Sequence, residues 1–185
     1  MYQANYFIIS GGPGSGKTSI IEKLASRGFT TVAETGRAII REQLETGGDA
    51  THEGDAAAYG AEMLKRGIAD YKRMRGSDDP VFFDRGIAEL VGFFRLKGLP
   101  VPPDVASATH EFRSNRLVFL TPPWEAIYRQ DAERRQEWAE AVRTFELIRD
   151  AYREAGYETV EVPEETVARR VRFILDEVDA VIDDG

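Results

Sequence analysis

The sequence predicts an α/β fold, a three-layer sandwich in which a five-stranded parallel sheet lies between helices on both faces. Two observations lead there. Five short apolar runs alternate along the 185 residues with stretches whose apolar residues recur at helical spacing. Residues able to do chemistry stand directly after three of those runs, where ligands bind in sheets of this kind.

Tyr6 to Ile9 is an apolar run bounded by Ser10 and glycines, the mark of a buried strand. Residues 17–27 carry Ile20, Ile21 and Leu24 at helical spacing, and Gly28 stands where a helix stop belongs. Phe29 to Ala33 is a second strand, rich in β-branched residues. Residues 36–45 place Ile39, Ile40 and Leu44 on one helical face, and residues 46–55 form a glycine- and acid-rich loop. Tyr59, Met63, Leu64, Ile68, Tyr71 and Met74 mark a long amphipathic helix. Pro80 to Asp84 is the third strand, residues 87–96 a helix, and Leu99 to Pro103 a stiff loop before a short helix at 104–112. Arg116 to Leu120 is the fourth strand, residues 131–155 a charged helix or helix pair, and Tyr157 to Val162 the fifth strand. Val167, Val171, Ile174, Leu175, Val178 and Ile182 mark the closing helix. With no internal repeat and no dividing linker, residues 1–185 are expected to form one domain.

Composition narrows the function. The apolar fraction, 42%, is ordinary for a soluble chain. The absence of cysteine excludes disulfides, thiolate catalysis and thiolate metal sites, and makes the cytosol the expected compartment. Residues 1–5 read as a lead-in to a strand rather than a signal peptide. No apolar run approaches the roughly 20 residues of a membrane span. A net charge of -8 argues against nucleic acid or an anionic membrane as partner. His52 and His110 are too isolated for metal-ligand spacing, and Trp124 and Trp138 read as packing residues.

Gly11-Gly12-Pro13-Gly14-Ser15-Gly16-Lys17-Thr18 matches G-x-x-x-x-G-K-[ST], after a strand and before a helix. Glycines let the backbone curl so that successive N–H groups face phosphate oxygens, and the helix adds its positive end. Lys17 brings a full charge to the β- and γ-phosphates, and Thr18 a hydroxyl to Mg²⁺. The motif is a P-loop. Its nucleotide contacts are expected to run from Gly11 to Ser19, with ATP and Mg²⁺ as the cofactors.

Two carboxylates end neighbouring strands. Asp84, after Phe82-Phe83, is expected to hold Mg²⁺ with Thr18; its alternative is to cap the helix starting near Gly86. Glu34, after Val32-Ala33, is a candidate base for an acceptor hydroxyl; its alternative is favourable charge at a helix N-terminus. The choice of base between Glu34 and Asp84 stays open. Arg37 and Arg85 are candidates for acceptor binding, or else structural ion-pair partners. Glu89 reads as a solvated helix residue. Tyr128 to Arg135 carries Arg129, Arg134 and Arg135 beside Asp131 and Glu133. The segment is either a lid whose arginines offset transferring charge, or a solvated helix face. Arg129 would then touch the nucleotide, and Arg134 would join Lys17, Asp84 and Glu34 in catalysis.

The chain resembles the small bacterial P-loop ATPases of the AAA-like type grouped with the ribosylnicotinamide kinase domain of NadR. The resemblance runs nearly end to end. It is carried by Gly11 to Thr18, Val32 to Arg37, Phe83 to Gly86, Asp131 to Arg135 and Ala155 to Val160. It implies ATP and Mg²⁺ on a nucleotide-kinase-like fold, with a helical lid at about residues 124–150 carrying the arginines. Two functions are expected from this: a kinase moving the γ-phosphate to a small-molecule hydroxyl or phosphate, or a slow ATPase or regulatory module acting through a protein partner. A nucleic-acid motor is a distant third, and the oligomeric state is left open.

Overall fold

A computed structural model of the chain describes residues 1–127 and 138–183. The described strands are β1 (Tyr6–Gly11), β2 (Thr30–Val32), β3 (Val81–Asp84), β4 (Leu117–Thr121) and β5 (Glu158–Glu161). They form one parallel sheet in the order β2-β3-β1-β4-β5. The described helices are α1 (Lys17–Ser26), α2 (Gly36–Thr46), α3 (Ala56–Arg73), α4 (Glu89–Leu96), α5 (Pro103–Glu111), α6 (Trp138–Glu154) and α7 (Val167–Asp183). The predicted fold class and all five strands are present.

The three layers follow from the two-residue period of a strand. Tyr6 and Ile8 of β1, Val81 and Phe83 of β3, and Val118 and Leu120 of β4 join a core with Leu64, Leu90, Phe94 and Ile148. Phe7, Ile9, Phe82 and Phe119 alternate with them and meet Ile20 and Leu24 of α1 and Ile174 and Val178 of α7 on the other face. Both faces are covered, so the central strands read as continuous apolar runs.

The helix ends are set locally. Arg27 closes α1, and Gly28 follows at φ 92°. Asp55 caps α3 by accepting from the Ala58 N–H at 2.9 Å, so the loop at 47–55 meets its helix through a side-chain bond. Pro103 opens α5, where a missing N–H does no harm. Helix α4 begins at Glu89, later than the sequence suggested, because Arg85 takes a left-handed φ of 76° and the chain turns there.

Two structural corrections concern single residues. Glu89 is buried, not solvated. Trp138, expected to pack, is over a third exposed at 36%. His52 lies in the loop at 47–55, where the sequence placed it, and lines the chamber described below. No helix among the described residues is long and apolar enough to cross a membrane.

Candidate functional site

The site is built at the carboxyl ends of β2, β3 and β1. The P-loop leaves β1 at Gly11 (φ 138°) and turns through Gly14 (φ 73°) and Gly16 (φ 81°) into α1. A side chain at Gly11 would place Cβ 2.3 Å from the Thr121 carbonyl oxygen, so only glycine fits beside β4. Ser15 Oγ lies 2.8 Å from the Gly12 carbonyl and 2.7 Å from Thr121 Oγ1, and Thr121 Oγ1 donates to the Ser10 carbonyl at 3.0 Å. The loop is thus fixed to β4 through two hydroxyls.

Lys17 is buried, and its Nζ donates to the Gly11 and Gly12 carbonyls, each at 2.8 Å. Burial pushes its pKa down to about 8 and the Arg85 charge adds to this, against the raising influence of Asp84, Glu34 and Glu89. Thr18 and Ser19 are exposed on the first turn of α1, open to a ligand.

Asp84 ends β3, paired in register with Ile9 of β1. Its Oδ1 is buried without a hydrogen-bond partner. Burial raises its pKa, and Glu34 and Glu89 push the same way against Lys17 and Arg85. A buried, unsatisfied carboxylate oxygen facing the cradle suits a cation. With the Thr18 hydroxyl and phosphate oxygens it fits Mg²⁺, which takes few protein ligands. The helix-capping alternative for Asp84 does not hold, since Ala88 is the residue before α4 and no side chain caps it.

Glu34, Arg85 and Glu89 form a bridged acidic pair. Arg85 Nε lies 2.9 Å from Glu34 Oε1, and its Nη1 is bound to Glu89 and lies 3.4 Å from the Gly11 carbonyl. Glu89 also accepts from Ser10 Oγ of β1. Burial works against the ionised Glu34, but Arg85, Lys17 and Arg37 together hold its carboxyl below the ordinary range. For Arg85 burial disfavours charge, and Glu34, Glu89 and Asp84 more than restore it. The Gly86 N–H donates to the Tyr152 hydroxyl oxygen of α6 at 3.0 Å, which steadies the turn after Arg85.

Arg37 is exposed in the first turn of α2 and lines the same chamber as Glu34. Beyond Glu34 the chamber turns aromatic. Tyr59 lies 5.4 Å from Phe93 and 6.2 Å from His52 between ring centroids. His52 Nδ1 is buried without a hydrogen-bond partner. Gly36 leaves room for the Tyr59 hydroxyl: a Cβ there would lie 2.4 Å from that oxygen and 3.2 Å from Glu34 Oε1.

The structure therefore brings together Lys17, Thr18, Glu34, Arg37, Asp84 and Arg85 around one chamber. Arg129, Arg134 and Arg135 lie outside the described residues. Sequence reasoning missed Glu89, Tyr59, His52 and Arg170, all of them chamber-lining. Only the four-residue spacing of Arg85 and Glu89 held a local signal for any of them.

Comparison with known proteins agrees with this layout. No curated protein matches the sequence at a significant level. Deoxyadenosine kinase from M. mycoides, solved with the products dCMP and a flexible dCDP, is similar at 14% identity and a TM-score of 0.68, over 95% of this chain and 99% of that one. The NadR protein in complex with NR is similar at 19% identity and a TM-score of 0.67; the match covers 96% of this chain and 50% of NadR. Thymidylate kinase from Candida albicans is similar at 10% identity and a TM-score of 0.65, over 96% and 92% of the two chains. At such identities the likeness establishes a shared nucleotide-kinase-like P-loop fold. A family model described as an AAA domain matches residues 6–170, nearly the whole chain from β1 into α7, and the chain belongs to that family.

Proposed function

We propose that the chain is an ATP-dependent kinase that transfers the γ-phosphate of Mg-ATP to a hydroxyl group of a small molecule. One observation carries this reading. Lys17, Asp84 and Glu34, from the ends of three adjacent strands, line one chamber, with Asp84 offering an unpaired oxygen and Glu34 held ionised. Lys17 and the loop amides hold the triphosphate, Thr18 and Asp84 hold the cation, and Glu34 takes the acceptor proton. The acceptor oxygen bonds to the γ-phosphorus, the bond to the β,γ-bridging oxygen breaks, and ADP leaves with that electron pair.

The names of the similar structures span a nucleoside and a nucleotide, so the fold accommodates acceptors of either chemistry. The side chains favour the neutral one. A phosphate acceptor arrives as an anion and needs cations of its own, whereas a hydroxyl needs a carboxylate. Arg85 is already committed to Glu34 and Glu89. Tyr59 and Phe93 offer a wall for a flat ring, and His52 Nδ1 an unsatisfied polar edge. The acceptor in this reading is an uncharged, ring-bearing alcohol of nucleoside type. Residues 1–185 act as one domain in the cytosol; Arg129 and Arg134 lie outside the described residues, and the part of the expected lid that falls in α6 is anchored in the core by Ala141, Phe145 and Ile148.

The experiment is transfer from γ-labelled ATP to a panel of nucleosides, their 5′-monophosphates and ring-free polyols. The expected result is conversion of a nucleoside to its labelled monophosphate. Conversion of a 5′-monophosphate to a labelled diphosphate instead, lost in Arg37→Ala, would sink the hydroxyl assignment. ADP accompanied only by free phosphate, whatever the acceptor, would make the chain an ATPase instead.

A further inference from the structure

Arg170 has no place in the P-loop motif, stands 155 residues beyond Ser15, and still touches the cradle. It lies in the first turn of α7, where its own N–H bonds to the Thr166 carbonyl at 3.0 Å. Only 2% of it is exposed. Its Nη1 donates to the Ser15 carbonyl at 3.0 Å, and its guanidinium carbon lies 5.8 Å from the centre of the Trp124 ring. Its Nε is buried without a hydrogen-bond partner. Among the described residues it forms no ion pair; Glu164 favours its charge from farther away, against the burial that disfavours it. The approach is close: a Cβ on Gly16 would lie 2.7 Å from Nη1.

A buried cation without an anion is unfavourable, and such charges are normally paired. Glu164 offsets part of this charge from beyond ion-pair distance, and the group that Arg170 touches directly is a loop built for phosphate. The Ser15–Gly16 peptide links the two. Carbonyl and N–H of a trans peptide point in opposite directions, so fixing the Ser15 carbonyl on Arg170 also fixes the direction of the Gly16 N–H. Glycines at φ 73° and 81° flank Ser15, and glycine peptides turn over easily without such an anchor.

We infer that Arg170 is a positioning residue of the cradle: it holds the Ser15–Gly16 peptide with the Gly16 N–H turned toward the triphosphate. The inference rests on the P-loop of the proposed kinase, and it needs no acceptor. The ligand class is a polyphosphate chain, recognised without regard to the base it carries.

Arg170→Met keeps the aliphatic volume and removes the charge, and Arg170→Lys keeps the charge and loses the fork. The test compares thermal melting of the ligand-free proteins with calorimetric binding of Mg-ATP and of inorganic tripolyphosphate. The Met variant is expected to melt at or above the temperature of the unaltered protein, because an unpaired buried charge has been removed. Its affinity for both ligands falls about 10-fold or more, and Lys restores part of the loss. Three outcomes overturn the inference. The first is equal affinity in the Met variant. The second is loss for ATP with none for tripolyphosphate, which would make Arg170 a reader of the nucleoside. The third is a lower melting temperature with no recovery in Lys, the behaviour of a purely structural residue. If the unaltered protein binds neither ligand, the P-loop reading fails and takes this inference with it. If it binds both but transfers no phosphate to any acceptor, the kinase reading fails while the role of Arg170 stands.

Discussion

Glu34 and Arg85 face each other at the carboxyl edge of the sheet, with Arg85 Nε 2.9 Å from Glu34 Oε1. The pairing keeps a carboxylate charged in a half-buried place where burial alone would favour its protonation. A base must be ionised before the acceptor arrives, and the guanidinium secures this. Glu34→Gln keeps the shape and removes the base. The turnover number is expected to fall by about 10²- to 10⁴-fold, with ATP affinity nearly unchanged. Steady-state kinetics beside ATP titration separates the two, and an unaltered turnover number would remove Glu34 from the chemistry.

Asp84→Asn should uncouple nucleotide from metal. The unpaired Oδ1 of Asp84 is the buried carboxylate oxygen best suited to Mg²⁺ among the described residues. In the unaltered protein ATP is expected to bind more tightly with Mg²⁺ than with a chelator present. In Asp84→Asn that difference should largely vanish, while the ligand-free protein, relieved of a buried carboxylate, melts no lower. An undiminished Mg²⁺ effect would place the metal elsewhere.

Binding of ATP in chelator should weaken as pH rises past about 8, the value to which burial pushes Lys17. Below that pH the ammonium is already charged and affinity is level. Above it the free protein must take up a proton to bind, and affinity falls by up to about tenfold per pH unit. Calorimetry in two buffers of different ionisation enthalpy would detect the proton. Folding responds with the opposite sign. The folded-state value lies below the ordinary 10.5, so the unfolded chain holds more protons between the two, and this lysine favours the folded state increasingly across that window.

Helices α4 and α6 meet at Gly92, where a Cβ would lie 2.9 Å from the Leu147 carbonyl oxygen. The obstruction is backbone and cannot rotate away. Gly92→Ala is therefore expected to destabilise by about 1–3 kcal/mol despite alanine's better helix propensity. Denaturant unfolding measures it, and a stabilised variant would show that the two helices separate freely.

What the sequence disclosed follows from how each feature is encoded. The strands were visible because a parallel strand covered on both faces is a run of apolar residues, as Tyr6 to Ile9 and Leu117 to Leu120 are. The P-loop was visible because its chemistry is local: eight consecutive residues make the whole nest. Asp84 and Glu34 were legible as strand-end carboxylates, since the sheet dictates where they stand. Glu89 was less so: its pairing with Arg85 four residues earlier is local, but its burial depends on Ser10 of β1, which reaches it across the fold. Arg170 was less legible still. In sequence it is one charge in the pair Arg169 and Arg170. Arg169 pairs with Glu165 at the surface, and its neighbour turns inward against Ser15. His52 and Tyr59 became chamber walls only once the loop after α2 folded against α3.

The resting position of Lys17 sets a threshold. Two of its three N–H donors are held by the loop's own Gly11 and Gly12 oxygens, so an anion that draws the lysine out of the loop competes with the backbone. Drawing the lysine away strips two buried carbonyls of their donor, at about 1–3 kcal/mol each. A lone inorganic phosphate brings too few contacts to offset that, whereas a long anionic chain meets the lysine, the amides and the metal together. The cradle's own hydrogen bonds thereby favour long polyphosphates over common small anions.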